Sequence, residues 1–167
     1  MTSLHRRARL KTMTERLFTI PQQQTSSDDH YTPKHIFDVL NITFDLDVAS
    51  PPGGIAYIPS ARYYTQEEDG LSQPWRGRVW MNPPYSNVQP WIDKWLDHAN
   101  GIALLPCVKH SRWVETLWKS SAKVVWINRE EIRFSANGTE KTIWPIVWLW
   151  AIGKSNEKAL EAFGQVR

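Results

Sequence analysis

The stretch "GRVWMNPPYSNVQPW", residues 77–91, runs a short apolar segment into Asn82, two prolines and a tyrosine. The letters "GRVWM" are typical of a strand, which the prolines end because proline cannot donate to a sheet ladder. The letters "VQPWIDKWLDHA" then predict a helix, with Pro90 in its first turn and Trp91 and Trp95 on one face. A strand followed at once by a helix indicates the α/β class and places Asn82 at a strand end.

The same alternation continues on both sides of this stretch. Upstream, "TPKHIFDVLNIT" predicts a short helix with Thr32 as its N-cap and Pro33 at the first helical position, and "FDLDVAS" predicts a strand. We expect one more short strand at residues 62–65, inside a long loop. Downstream, "GIALLPC", "AKVVWIN" and "IWPIVWLWAIG" predict strands, "SRWVETLWKSS" predicts a helix, and Asn137-Gly138 predicts a turn. The whole pattern predicts an α/β domain with a largely parallel sheet.

Length and composition fit one globular domain. The chain has 167 residues, of which 41% are hydrophobic and 22% are charged. Residues 1–27 are basic and then rich in Gln and Ser, which predicts a flexible arm. We expect the folded domain at residues 28–154 and a terminal helix or tail at residues 155–167. Because the sequence shows no run of about eighteen apolar residues and no signal peptide, we expect a soluble protein of the cytoplasm that binds no membrane.

The charge and the cysteine content agree with that expectation. The single cysteine, Cys107, can form no internal disulfide and has no second cysteine with which to complete a CxxC-type metal site. The net charge of +3 is compatible with a polyanionic partner such as nucleic acid.

The Asn-Pro-Pro-Tyr motif has a chemistry that suits an amine ligand. Ligands of open α/β sheets bind beyond the carboxyl ends of the strands, where Asn82 is expected. Pro84 keeps Pro83 out of the helical region, so the Pro83 carbonyl lies beside the Asn82 amide as a second acceptor. Two acceptors favour a more tetrahedral exocyclic amine on a purine or pyrimidine, and Tyr85 adds a ring that can stack on an aromatic base. Such an amine can accept a methyl group by positioning alone, without a metal, a strong base or a covalent nucleophile.

From the residues alone, a structural explanation stays open at each of these positions. The two prolines could simply end a strand, Thr32-Pro33 could be an ordinary helix start, and Asp69-Gly70 is a common turn pair. Asp47 is more informative, because an unpaired carboxylate on a buried strand is unfavourable. It predicts a partner such as ribose hydroxyls or an ammonium group.

Several segments together resemble a known family. "NPPY" is the amino-methyltransferase motif, and "DDHYTPKHIFDVL", "FDLDVAS", "RYYTQEEDGLSQPWRGRVWMNPPYS", "ALLPCVKHSRWVETL" and "IRF" resemble landmarks of the phage-type DNA N6-adenine methyltransferases, the Dam family of phages and prophages. The resemblance covers roughly residues 28–153. It implies a Rossmann-like, S-adenosylmethionine-dependent methyltransferase fold of reduced size, encoded by a phage or prophage and acting in the cytoplasm of the bacterial host.

The resemblance also implies roles for individual residues. The pocket for the target adenine would be formed by Asn82, Pro83, Pro84 and Tyr85. The residues implied at the cofactor are Tyr31, Thr32, Pro33, Asp47, Ala49 and Asp69. Tyr31, Thr32 and Pro33 match the segment that closes over the methionine end of the cofactor, and Asp69 matches the group near its adenine. Where many methyltransferases have a Gly-rich FxGxG loop, this chain has "SPPGG".

The partner implied is double-stranded DNA. The target amine lies inside the base stack, so the nucleotide must be flipped out and held by stacking and edge hydrogen bonds. Phosphate contacts are expected from basic residues near the pocket mouth, for which the candidates are Lys109, Arg112, Arg76 and Arg78. Three arginines of the arm could add non-specific affinity: Arg6, Arg7 and Arg9.

Tryptophan is unusually frequent, with ten residues, and core packing is the default expectation for each. The four that occur in apolar strands are predicted to lie mostly in the core: Trp126, Trp144, Trp148 and Trp150. Trp75 and Trp113 occur near predicted loops, where contact with a ligand is the alternative to core packing.

The function predicted is transfer of a methyl group from S-adenosylmethionine to the N6 amine of adenine in DNA. One alternative keeps the pocket and changes the acceptor to cytosine N4, a ribosomal RNA guanine or a protein glutamine. Asn82 argues against cytosine N4, because those enzymes more often have Ser at that position. A second alternative is a non-catalytic relative that binds nucleic acid.

Overall fold

A computed structural model describes residues 31–108, 111–127, 134–136, 139–141 and 146–167. The predicted arm, Lys109, Trp144 and the Asn137-Gly138 turn lie outside the described residues. Among the residues that are described, no helix has both the length and the apolar character needed to cross a bilayer.

The centre of the fold is a five-stranded sheet with the order β1-β2-β3-β7-β4. Its strands are β1 (Leu46–Asp47), β2 (Val79–Met81), β3 (Gly101–Pro106), β4 (Lys123–Trp126) and β7 (Val147–Ile152). The first three pair in parallel, whereas β7 lies antiparallel between β3 and β4. Two further strands, β5 (Phe134–Ala136) and β6 (Thr139–Lys141), form a separate antiparallel pair. The prediction of a mixed α/β fold with a mostly parallel sheet is confirmed.

The residues expected to form a strand at positions 62–65 do not form one. They run beside β1 and make only isolated bridges, such as that between Asp47 and Tyr63. The backbone amides of Asp47 and Tyr64 still bond across this edge, to the carbonyls of Arg62 and Asp47 at 2.9 and 2.8 Å. Because β1 has only two residues, it offers no longer ladder to a neighbour.

In the described part of the chain, four α-helices cover the sheet: α1 (Lys34–Leu40), α2 (Gln89–His98), α3 (Arg112–Lys119) and α4 (Lys154–Leu160). The start of α1 differs from the prediction, because Pro33 is the N-cap with an extended backbone and Thr32 precedes the helix. The Thr32 side chain caps nothing and bonds instead to Asn82. The C-terminal helix was expected at residues 155–167, and α4 followed by a 3-10 turn at Glu161–Phe163 occupies most of that range.

The helices lie on both faces of the sheet, and each face buries its own core. On one face, α1 and α4 pack Phe37 and Leu160 against the sheet, and on the other face α2 and α3 pack Trp95 and Leu117. Along β3, Ile102 and Leu104 point into the first core while Ala103 and Leu105 point into the second. All six residues of β3 are buried, as its continuous apolar run predicts.

The tryptophans divide between core and surface in a way that composition does not show. Trp150 is fully buried, and Trp91 and Trp95 lie on the buried face of α2, as predicted. The prediction of a core position is wrong for Trp126, whose exposure is 52%. It belongs to β4, which lies at the edge of the sheet among the described residues. Trp75 is buried in the core beneath α2 and α3. Trp113 and Trp148 are partly buried and pack against the same core.

Candidate active site

A pocket of about 460 Å³ opens at the carboxyl ends of β1 and β2. Its wall draws on four parts of the chain: the segment before α1, the residues that follow β1, the loop that contains Asp69, and the motif that follows β2. Seven of the residues predicted at the site line it: Tyr31, Thr32, Asp47, Ala49, Asp69, Asn82 and Pro84. The volume is in the range of small-molecule sites. Positions as far apart in the chain as Tyr31 and Trp91 are therefore brought to one cavity.

Asp47 is the buried acid of this pocket, with only 2% of its surface exposed. It ends β1, so the ladder to β2 fixes its backbone while its side chain lines the cavity. One carboxylate oxygen accepts a 3.2 Å hydrogen bond from the Ala49 amide. Burial raises the pKa of Asp47 from 3.8 to about 6, and the Ala49 amide and the Ser50 side chain oppose the rise.

Ser50 is a pocket residue that the sequence pattern did not single out. It lies in the wall beside Asp47 and is itself buried. Its hydroxyl is close enough to the Asp47 carboxyl to lower that group's pKa, but Oγ makes no hydrogen bond of normal geometry within the described structure. A buried hydroxyl without such a bond is unfavourable, so a polar ligand group would stabilise this end of the pocket. Nothing in "ASPPGG" distinguishes this serine from a turn residue.

The Asn82 carboxamide is held between two hydroxyl groups. Its Nδ2 donates to Thr32 Oγ1 at 3.3 Å, and its Oδ1 accepts from the Tyr85 hydroxyl at 3.1 Å. Thr32 is almost completely buried, and its carbonyl accepts a 2.8 Å bond from the Tyr57 hydroxyl. The segment before α1 is therefore tied to the motif after β2, and the orientation of the amide is set from both sides.

The remaining residues of the motif have different surroundings. Pro84 lines the pocket with an extended backbone, at φ −57° and ψ 126°, and begins a 3-10 turn at Tyr85–Asn87. Pro83 is buried. The Tyr85 ring packs against the core beneath α2, and burial raises the pKa of its hydroxyl. In this arrangement the ring lies beside the pocket rather than in its lining.

Asp69 reaches the pocket from an irregular segment. Its backbone is left-handed, at φ 53°, a conformation that Asp tolerates better than most residues. The Asp69 carbonyl accepts bonds of 2.9 Å from both the amide and the hydroxyl of Ser72. Asp69 is exposed, and Gly70 beside it also lines the cavity. Pro33, by contrast, is not part of the lining.

The basic residues predicted near the pocket mouth do not lie together. Arg112 begins α3 after β3 and is exposed at the sheet edge that carries Asn82. Arg76 and Arg78 come before β2, at the opposite edge. The Arg78 guanidinium donates to the Thr43 carbonyl and to the Ser155 hydroxyl, both at 3.0 Å. Arg78 is therefore tied into the structure away from the pocket.

The fold and the pocket define a mixed α/β protein with a candidate ligand pocket where parallel strands end, and Asn82 and Pro84 of the Asn-Pro-Pro-Tyr motif lie in its wall. The family model of the DNA N-6-adenine-methyltransferases (Dam) matches residues 21–144, which is most of the chain, and the chain belongs to this family. It is 28% identical over 116 residues to a DNA N-6-adenine-methyltransferase of Haemophilus phage HP1. That match covers 66% of this chain and 63% of the phage protein. No solved structure matches the chain significantly.

Proposed function

We propose that this protein transfers a methyl group from S-adenosylmethionine to the N6 amine of adenine in double-stranded DNA. The observation that carries the proposal is that one pocket joins the Asn82 carboxamide to the buried Asp47 carboxyl group. The end with the Asn82 carboxamide suits the acceptor amine, and the end with the Asp47 carboxyl group suits the cofactor. Membership of the Dam family and the similarity to the phage DNA N-6-adenine-methyltransferase support the same reaction.

The cofactor end of the pocket has groups that fit S-adenosylmethionine. Asp47 is a buried acid without an ionic partner among the described residues, and the Ser50 hydroxyl beside it makes no normal hydrogen bond there. An ammonium group or ribose hydroxyls would satisfy both groups. Ile55 and Ile58 supply apolar lining for an adenine ring. When bound, S-adenosylmethionine supplies an electrophilic methyl group.

The acceptor end works by positioning. Asn82 Oδ1 and the Pro83 carbonyl would accept the two N–H groups of the target amine, which favours a tetrahedral nitrogen with an available lone pair. Thr32 and Tyr85 hold the carboxamide, so its oxygen need not reorient when the base arrives. Tyr85, whose ring lies beside the pocket, would then act by holding Asn82 rather than by stacking on the flipped base.

The sheet order supports a reduced Rossmann-like fold for the proposed enzyme. The three parallel strands β1, β2 and β3 end at one edge, where the site lies. The connection from β1 to β2 contains neither a helix nor a strand, which accounts for the small size of the domain. As a phage or prophage product, the protein would act on DNA in the bacterial cytoplasm.

The test is to incubate the protein with labelled S-adenosylmethionine and DNA and to identify the methylated nucleoside after digestion. We expect N6-methyladenine from the wild type and a loss of about a hundredfold or more in Asn82→Ala, because a preorganised acceptor is removed. Asn87→Ala is the matched control, since this asparagine is exposed in the turn that follows the motif.

The other outcomes separate the alternatives. Label on cytosine, RNA or protein, with none on adenine, would refute the proposed acceptor while keeping the methyl donor. If the folded wild type bound no S-adenosylmethionine, the chain would be a non-catalytic relative. Equal activity in Asn82→Ala and Asn87→Ala would show that the motif is structural.

A further inference from the structure

Residues 69–75 contain no helix or strand, and their first two residues form part of the pocket wall. Asp69 and Gly70 line the cavity, and the segment then turns away toward the buried ring of Trp75. Gly70 packs directly on the end of β1, because a Cβ at this position would lie 2.0 Å from the Val48 carbonyl oxygen. The Trp75 indole donates to the Gly70 carbonyl at 2.7 Å. This wall depends on side chains for its shape.

Lys94, on the helix that follows the Asn-Pro-Pro-Tyr motif, reaches this wall. Its Nζ donates to the carbonyls of Gln73 at 2.5 Å, Leu71 at 2.6 Å and Gly70 at 3.4 Å. The same ammonium group lies 4.9 Å from the centre of the Trp75 ring. An ammonium group has three N–H donors, and the three carbonyls can accept all of them. The face of the Trp75 ring adds a cation–π contact.

The surroundings of Lys94 join the two ends of the pocket. Trp75 stacks on Trp91, which belongs to α2 and itself lines the cavity, with ring centres 6.3 Å apart. Burial lowers the pKa of Lys94, while the negative charge of Asp69 opposes that change. One side chain therefore connects the helix of the acceptor motif with the segment that carries the acidic residue of the cofactor wall.

We propose that Lys94 is a positioning residue that holds residues 69–75 in place as the cofactor wall of the pocket. The proposal rests on the proposed function, because it assigns this wall to S-adenosylmethionine. Lys94 does not line the cavity and acts through the backbone carbonyls that it binds. If Lys94 loses its ammonium group, those carbonyls lose their charged donor and residues 69–75 become less ordered. Part of the binding free energy of the cofactor is then used to order this segment.

The experiment compares Lys94→Met, Lys94→Arg and the wild type. Methionine keeps much of the apolar stem and removes the charge, whereas arginine keeps a charged donor that can also stack on Trp75. Lys158→Met is the matched control, since Lys158 is an exposed lysine of another helix, α4. The measurements are the Kd for S-adenosylhomocysteine, kcat at saturating cofactor, KM for DNA, the thermal midpoint, and amide hydrogen exchange of residues 69–75 in the free protein.

We expect Lys94→Met to raise the Kd by about tenfold, the effect of one lost hydrogen bond to a charged group. Exchange in residues 69–75 should accelerate, while kcat and KM for DNA stay close to wild type because the Asn82 site is unchanged. Lys94→Arg should recover part of the affinity, and Lys158→Met should match the wild type in all measurements.

Two results would overturn the proposal. The first is a folded Lys94→Met protein with wild-type Kd and wild-type exchange in residues 69–75. The second is a parallel loss of thermal midpoint, kcat and affinity that Lys94→Arg does not correct, which would make Lys94 a general stability residue. A wild type that binds no S-adenosylhomocysteine would refute the proposed function and this inference together, whereas an active wild type with an unaltered Lys94→Met refutes this inference alone.

Discussion

At the scale of single residues, we expect Asp47 to lower stability while it favours the proposed cofactor binding. Its carboxyl group is buried, and its pKa is raised from 3.8 to about 6. The folded protein therefore holds more protons than the unfolded chain between these two values. Its free energy of unfolding must fall as the pH rises from about 4 to about 6, by about 2 kcal/mol from this group.

This conflict predicts that Asp47→Asn stabilises the free protein. The amide carries no charge to desolvate and keeps an oxygen for the Ala49 amide, so we expect about 2 kcal/mol more stability than wild type at pH 7. At pH 4, where the wild-type carboxyl group is mostly protonated, the two proteins should be nearly equal. Urea unfolding at both pH values measures the difference.

The same substitution should weaken S-adenosylmethionine binding at pH 7, because the proposed partner of its ammonium group or ribose is removed. Stability and affinity would then move in opposite directions, as is common at functional sites. A variant that is no more stable than wild type at pH 7 would show that the buried carboxylate has a favourable partner in the free protein.

At the scale of elements, the contact between Gly70 and β1 decides where the pocket wall lies. A methyl group on residue 70 would overlap the Val48 carbonyl, so either the wall or the strand end must shift. We expect Gly70→Ala to lower the free energy of unfolding by about 2 kcal/mol, as overpacking does. Affinity for S-adenosylmethionine should fall as well, because Asp69 moves with its neighbour.

Gly53→Ala separates this clash from simple backbone strain. Gly53 has a φ of +83°, but nothing lies within 4 Å of the added methyl group. Gly53→Ala should lower the free energy of unfolding by about 1 kcal/mol, the ordinary penalty for a left-handed residue with a side chain. Unfolding curves and cofactor titrations on both variants provide the comparison. If Gly70→Ala keeps full cofactor affinity, the position of the wall is not set by this contact.

The elements themselves were largely predictable from sequence, because their signals are local. The unbroken apolar run of β3 and the tryptophan spacing of α2 are both decided by neighbours along the chain. Trp126 was misplaced because its strand has the same apolar character as a central one. Its exposure depends on the order of strands in the sheet, which pattern does not contain.

The candidate site was predictable only in part, for a related reason. The motif at Asn82 and the acid at Asp47 have signatures of their own, and the pocket contains both. The Thr32 hydroxyl looked like a helix cap because that is the commonest use of a threonine before a proline. Its actual partner is 50 residues away, and the contacts of Lys94 with backbone carbonyls are equally non-local.

At the scale of the whole molecule, we expect the two edges of the sheet to have different roles. The site and Arg112 lie at the carboxyl edge, and the contacts of Arg78 lie at the amino edge. We expect Arg112→Ala to raise the KM for DNA and to lower the slope of log KM against log salt by about one, as the loss of one phosphate contact does. Methylation assays over a salt series measure both effects.

Arg78→Ala is the comparison at the other edge. It removes bonds to Thr43 and Ser155, so it should lower the thermal midpoint and leave the salt slope unchanged. An equal loss of salt dependence in both variants would mean that DNA also contacts the amino edge. No change in either variant would exclude Arg112 as a phosphate contact.

The position of β7 between β3 and β4 has a consequence for biosynthesis. The strand that joins these two in the finished sheet is made last of the three. Until residues 147–152 pair with them, β3 and β4 each leave a strand edge unpaired. We therefore expect a chain truncated before residue 147 to be prone to aggregation, because the strand that covers both edges would be missing.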